Sequence, residues 1–162
     1  MLTDNWKITT KYHDEDLSNY SFLITGGAGF IGSNLVQYLL DNNAKLVRVL
    51  DNMSNGYTKN LSPFENDSRL KVIIGDITDK NTCLEAVNGI DFVSHQAALG
   101  SVPRSLQTPL LTHEANSTGF LNMLNASKET GVTSFVYASS SSVYGDNSET
   151  VSYTHLTLPT KA

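Results

Sequence analysis

The sequence predicts an open α/β sheet, doubly wound, with parallel strands covered by helices on both faces. Three observations predict it. Short apolar runs with little alternation recur along the chain, stretches of helical periodicity separate them, and a glycine-rich turn joins the first run to the first helix. The 162 residues are 40% hydrophobic, enough for one domain with a core of its own.

Taken in order, residues 1–19 read as a polar N-terminal extension with a short amphipathic turn around Trp6 and Ile8. Ser21–Thr25 is an apolar run ended by glycines, hence a buried strand. Ile31, Leu35, Val36, Leu39 and Leu40 then share one face of a helix that stops near Asp41 to Asn43. Further buried strands are expected at 46–50, 70–74, 91–94 and 134–138. Asp79 is placed to cap a helix running to Val87, with Cys83 on its core face. A longer single helix is predicted over about 109–130, with Gly131 at its stop. Strands alternating with helices imply right-handed βαβ crossovers.

Composition excludes several function classes. Sixteen Asp and Glu against eleven Lys and Arg, a net charge of −5, argue against a phosphate-tracking nucleic-acid surface. No apolar run approaches the roughly 20 residues that span a bilayer, so no membrane role is expected. The acidic first twenty residues do not read as a signal peptide, and the lone Cys83 permits no internal disulfide, which suits the cytoplasm. His13, His95, His113 and His155 lack ligand spacing, so no metal is predicted. His95 ends an apolar strand and reads first as a buried histidine satisfied by backbone, ahead of a general base.

The turn Thr25-Gly-Gly-Ala-Gly-Phe-Ile-Gly32 carries the chemistry. Small residues let the backbone approach a pyrophosphate, and the helix N-terminus adds N–H donors and a favourable dipole. The motif parses two ways, as Gly27/Gly29/Gly32 or as Gly26/Gly29/Gly32, and tight strand–helix packing is the alternative to ligand binding. Asp51 ends the second strand about twenty residues later, where a carboxylate accepts from adenosine ribose hydroxyls and repels a 2′-phosphate. No Arg follows it in Asn52-Met-Ser-Asn-Gly56, so NAD is expected over NADP. Asp76, in Gly75-Asp-Ile77, is placed either to meet the adenine amino group or simply to cap a turn.

These motifs, with Asp51-Asn52 and Ala138-Ser-Ser-Ser-Ser-Val-Tyr-Gly-Asp146, resemble the extended short-chain dehydrogenase/reductases that act on nucleotide sugars. The stretch His95-Gln-Ala-Ala-Leu-Gly-Ser-Val-Pro-Arg-Ser105, with Asn116 and Gly119-Phe-Leu-Asn-Met-Leu124, looks like the bacterial UDP-N-acetylglucosamine 4-epimerases of this NAD-dependent epimerase/dehydratase family. The resemblance implies a Rossmann-type sheet and NAD as cofactor. It places Gly26, Gly29, Phe30, Ile31, Gly32, Asp51, Asn52, Ser54, Gly56, Asp76, Ile77, Gln96, Ala97, Ala98, Asn116 and Ser139 against that cofactor. Gly100, Ser101, Ser140, Ser141 and Ser142 would face a UDP-N-acetylhexosamine.

The mechanism so implied takes a hydride from C4 of the sugar, turns the 4-keto sugar over and returns the hydride to the other face. A tyrosine of a Tyr-x-x-x-Lys helix is the family's base, and a serine four residues before a Tyr-Gly pair polarises the C4 oxygen. That serine is Ser140, four before Tyr144. Outside the resemblance, the run 139–142 also reads as a flexible Ser-rich loop. Sugar 4,6-dehydratases carry Thr-Asp-Glu where this chain has Ser140, Ser141 and Ser142, and two hydroxyls supply neither acid nor base for eliminating water. Epimerisation is therefore the expected reaction.

The pattern breaks after residue 149. No Tyr-x-x-x-Lys occurs in the 162 residues, so the sheet reads as truncated before the catalytic helix. Residues 20–150 form the expected, incomplete NAD-binding domain, and 151–162 read as a non-native tail, with a genuine divergent end as the alternative. The leading expectation is an N-terminal fragment of a UDP-sugar 4-epimerase, inactive as written. The alternatives are a non-catalytic NAD-binding module and a related UDP-glucuronate 4-epimerase. In the family a homodimer pairs two helices per subunit, and this chain holds only the first of them. Weak or no dimerisation is expected, with Leu110, Leu111, Phe120, Leu121 and Leu124 left partly uncovered.

Overall fold

The computed structural model describes residues 10–140. Five parallel strands form one sheet: β1 (Ser21–Thr25), β2 (Leu46–Asp51), β3 (Leu70–Ile74), β4 (Phe92–His95) and β5 (Ser134–Tyr137). Their spatial order is β3-β2-β1-β4-β5, so β1 is central. In register, Phe22 stands opposite Val47 on one side and Phe92 on the other. The chain winds from β1 outward to β3, then returns across β1 to β4 and winds the other way. That reversal opens a crevice at the carboxyl ends of β1 and β4.

The apolar runs of the central strands β1, β2 and β4 are buried or half-buried because both faces of the sheet are covered there. The edge strands β3 and β5, expected to be buried, are instead largely exposed, with Ile74 and Val136 open because little among the described residues packs over the sheet edges. Along β1, Ile24 points into a cluster with Val36, Leu40, Val47 and Val49 beneath α1 (Phe30–Asp41). Its neighbour Leu23 points the opposite way, into a cluster with Leu50, Cys83, Val93 and Met123. That second cluster lies under α2 (Lys80–Val87) and α5 (Phe120–Thr130), each fully buried aliphatic contributing about 1.5–3 kcal/mol. Asp79 caps α2 as expected, accepting from the Asn81 N–H at 2.9 Å. Gly131 closes α5 in the left-handed conformation, φ +74°, where a side chain would be strained.

The single helix expected over 109–130 is not one helix. It divides into α4 (Pro109–His113), a π-helical turn at Glu114–Gly119, and α5, while a short α3 (Val102–Gln107) precedes it. The wider turn serves a contact no local pattern encodes. Asn116 accepts from the Leu99 N–H at 2.7 Å and donates to the Leu99 carbonyl at 3.0 Å. Before the sheet, the polar extension is docked over its described part. The Tyr38 hydroxyl accepts from the Tyr12 N–H at 2.8 Å and lies 2.7 Å from His13 Nδ1, and Leu17 is buried. No helix among the described residues is long and apolar enough to cross a membrane.

Candidate cofactor site

The crevice at the strand ends holds a cleft of about 490 Å³. Its floor is the turn after β1. Gly26 adopts φ +66°, and a Cβ there would sit 2.9 Å from the Ala97 nitrogen, so only glycine fits. A Cβ on Gly27 would instead strike Val49 in the core at 2.7 Å. The two glycine parses are thereby separated: Gly26 and Gly29 line the cleft, and Gly27 packs the turn onto β2. Gly32, on α1, presses against the backbone of Gly26 and Gly27. Phe30 and Ile31, in the first turn of α1, are solvent-exposed beside the turn and do not line the cleft. Gly29 caps α1 with no side-chain bond, so the first-turn N–H groups have no capping side chain.

Asp51 is buried and holds the turn in place. One carboxylate oxygen accepts from the Ala28 N–H at 2.9 Å, the other from the Met53 N–H at 2.8 Å. A carboxylate can accept about four hydrogen bonds, so capacity remains on the side that lines the cleft. Gly56 closes over it: a Cβ there would stand 3.0 Å from both Asp51 oxygens. Asp76 lines the cleft while accepting from the Thr78 N–H at 2.9 Å and the Asn52 amide at 2.7 Å. Burial works to raise its carboxyl pKa, and the bonds from Thr78 and Asn52 outweigh it, holding the group below the ordinary carboxylate range. Asn52, Ser54 and Ile77 complete this side.

The opposite wall hangs from Thr25. Its hydroxyl accepts from the N–H groups of Gln96 (3.1 Å) and Ala97 (3.2 Å), and lies 2.9 Å from His95 Nδ1. The hydroxyl has one proton and two lone pairs to share among these three nitrogens, which ties the imidazole to the wall through Nδ1. His95 is therefore satisfied by a side-chain hydroxyl rather than by backbone, and burial drives its pKa down to about 4. This wall presents Gln96, Ala97 and Ala98 to the cleft.

Other expected positions fall outside the cleft. Asn116 is spent on Leu99, Ser101 caps α3 by accepting from the Arg104 N–H at 3.3 Å, and open space surrounds Gly100. Ser139 and Ser140 are exposed beyond the end of β5. Ser141, Ser142, Tyr144 and the segment 151–162 lie outside the described residues. Cys83 is a core thiol, donating to the Ile77 carbonyl at 3.1 Å; burial first, then Asp79 and Asp76, raise its pKa to about 11.

Four polar residues line the cleft without having been singled out in the sequence: Asn55, Thr78, Arg104 and Glu114. Thr78 had a local signal, since an Asp two residues upstream forms an Asx turn onto its N–H. The others reach the cleft only through tertiary placement.

Tested against a dinucleotide, the donor set fits. A concave glycine backbone suits a pyrophosphate, a half-satisfied buried carboxylate suits ribose hydroxyls, and an apolar slot at Leu50 and Ile77 rimmed by Asp76 suits a base.

Several known proteins are similar to this chain. The UDP-glucose 4-epimerase of Pasteurella multocida is 40% identical over 130 residues, covering 78% of this chain and 38% of that one. A structure of UDP-N-acetylglucosamine 4-epimerase from Methanobrevibacter ruminantium, in complex with UDP-N-acetylmuramic acid, superposes with a TM-score of 0.74 at 35% identity, over 87% of this chain and 44% of that one. A dTDP-glucose 4,6-dehydratase from Streptomyces venezuelae with NAD bound gives a TM-score of 0.75 at 36% identity, over 79% and 42%. The chain thus spans well under half the length of these relatives. Over residues 22–162 its sequence matches the model of the NAD dependent epimerase/dehydratase family, and the chain belongs to that family.

Proposed function

We propose that this chain is the NAD-binding part of a UDP-sugar 4-epimerase that interconverts UDP-N-acetylglucosamine and UDP-N-acetylgalactosamine. One observation carries the cofactor half: the Gly26–Gly29 turn, the Asp51 carboxylate and the Gln96–Ala98 wall meet in a single cleft. The Gly100-Ser-Val-Pro-Arg-Ser105 stretch, with the similarity to the Methanobrevibacter enzyme, supports the N-acetylhexosamine.

In this reading Asp51 accepts from the adenosine ribose, Gly26 and Gly29 take the pyrophosphate, and the backbone N–H groups of Phe30, Ile31 and Gly32, in the first turn of α1 beside the cleft rather than lining it, add a favourable dipole. Asp76 and Ile77 meet the adenine, while Asn52, Ser54 and Gly56 close that end. Ala97, Ala98 and Ser139 flank the nicotinamide half. Bound NAD supplies the hydride acceptor and donor for C4 of the sugar. Ser140, after β5, holds the C4 oxygen by a hydroxyl hydrogen bond, and Gly100, Ser101, Ser141 and Ser142 contact the sugar. No Tyr-x-x-x-Lys pair stands in the 162 residues to move the proton, so this chain binds cofactor without turnover. It acts in the cytoplasm.

Calorimetry and a coupled assay test both halves. We expect the chain to bind NAD and to form no UDP-N-acetylgalactosamine. Asp51→Ala should weaken NAD by about tenfold or more through lost charge-assisted bonds. An absence of NAD binding would overturn the cofactor assignment, and turnover by the chain alone would overturn the inactivity. A second reading, a non-catalytic NAD-binding module, is favoured by the coexistence of a formed cleft with no Tyr-x-x-x-Lys pair. Tight NAD binding by a well-folded monomer selects it; aggregation of the purified chain selects the incomplete enzyme.

A further inference from the structure

We propose that Arg104 is a phosphate-binding residue of this cleft, holding the cofactor's pyrophosphate against the loop that follows β2. The inference rests on the cofactor reading above and adds a residue that the glycine-and-acid pattern does not include.

The cleft is short of positive charge. Asp51, Asp76 and Glu114 line it, and among the described residues Arg104 is its only cationic side chain. A pyrophosphate brought into such a site needs a counter-charge that backbone N–H groups supply only in part. Three other cations are engaged elsewhere. Arg48 donates to the carbonyls of Ala86 and Asn88, Arg69 pairs with Asp67, and Lys59 lies over the Tyr57 ring. Arg104 has no carboxylate partner among the described residues. Its guanidinium donates to the neutral Asn55 side chain at 3.3 Å, or at 3.2 Å with the amide turned over. A long bond to an uncharged group leaves most of its five donors for a bidentate anion.

The residue is also delivered to the cleft by an anchored segment. Asn116 clamps the preceding Leu99 through both of its peptide groups, and Ser101 receives the Arg104 N–H at the start of α3. Through Asn55 the guanidinium touches the loop between Asp51 and Gly56, which closes over the Asp51 carboxylate. That carboxylate repels a phosphate on the 2′-oxygen of its ribose, which leaves the pyrophosphate as the anion within reach.

Binding of NAD, NADP, ADP and adenosine to the 162-residue chain, to Arg104→Gln and to Arg104→Lys tests this, with circular dichroism confirming the fold of each. Arg104→Gln should weaken NAD and ADP by about tenfold or more and leave adenosine unchanged. Arg104→Lys should fall between, because an ammonium keeps the charge without the fork. ADP binding to the parent should weaken with salt more steeply than binding to Arg104→Gln. Unchanged NAD and ADP affinity in Arg104→Gln would overturn the assignment. So would an equal loss for adenosine, which marks a residue that only shapes the cleft, or a loss confined to NADP, which marks a 2′-phosphate contact. If the parent bound neither NAD nor ADP, the cofactor reading itself would fall and take this inference with it.

Discussion

His95 illustrates how one buried side chain sets both a wall of the site and the acid limit of the fold. Phe135 stacks on its ring, Phe120 meets it edge-on, and Nδ1 lies against the Thr25 hydroxyl, so the protonated ring is cut off from water. Burial alone lowers its pKa, from the ordinary 6.5 to about 4. A histidine whose folded value is depressed binds its proton more readily in the unfolded chain. Its contribution is therefore complete above about pH 6.5 and is lost as the pH falls toward 4. The whole window is worth about 3 kcal/mol at 1.36 kcal/mol per unit. Asp76, Asp79 and Asp91 are held below the ordinary carboxylate value of 3.8, so the stability they add is lost only below this window. Denaturant unfolding followed from neutral pH down to about pH 4 should show the midpoint falling, with the fall reduced in His95→Gln. A flat midpoint in the parent would contradict the buried neutral imidazole.

Elements divide by whether their cause is local. The five strands were legible because each is a short, mostly apolar run. The central Ser21–Thr25 has both faces covered, as such a run implies, whereas the edge strands Leu70–Ile74 and Ser134–Tyr137 keep the apolar sequence while much of each is exposed. The ends of α2 and α5 were legible because Asp79 and Gly131 act on their own turns. The six residues of α3 are too few to show helical periodicity, and the π-helical turn at Glu114–Gly119 exists for a partner 17 positions away. Asn116 thus serves the site through Leu99. Asn116→Ala removes two hydrogen bonds at an exposed position, so global stability should fall by only about 1 kcal/mol. The local effect should be larger: amide exchange at Leu99 should accelerate well beyond the change in global unfolding, and NAD affinity should drop with it. Unchanged Leu99 protection would show that the clamp does not hold the loop.

At the scale of the whole molecule, the sheet order places every motif-bearing segment at one edge, which is why a glycine turn and two strand-terminal acids sufficed to locate the cleft. What they could not locate is its cationic side. Arg104 and Asn55 are 49 positions apart and meet only after α3 has packed. The uncovered face was legible in part. Leu110 and Leu121 are 83% and 53% exposed, as the amphipathic pattern implied, and Phe120 is half-buried, with its ring against His95, Phe135 and Tyr137. Val136 and Tyr137 extend this apolar surface onto β5, at the edge of the sheet. A parallel sheet ending in an exposed apolar edge strand beside bare leucines presents what edge-protecting devices normally hide. We expect the chain to self-associate without a fixed stoichiometry and to bind a hydrophobic dye. Replacing Leu110 with Glu and Leu121 with Lys should raise the monomer fraction in light scattering while moving the unfolding free energy by no more than about 0.5 kcal/mol, since neither side chain is in the core. A loss of about 2 kcal/mol or more would mean that these leucines are covered in solution, and a discrete dimer abolished by the pair of substitutions would identify the cover as a second copy of the chain.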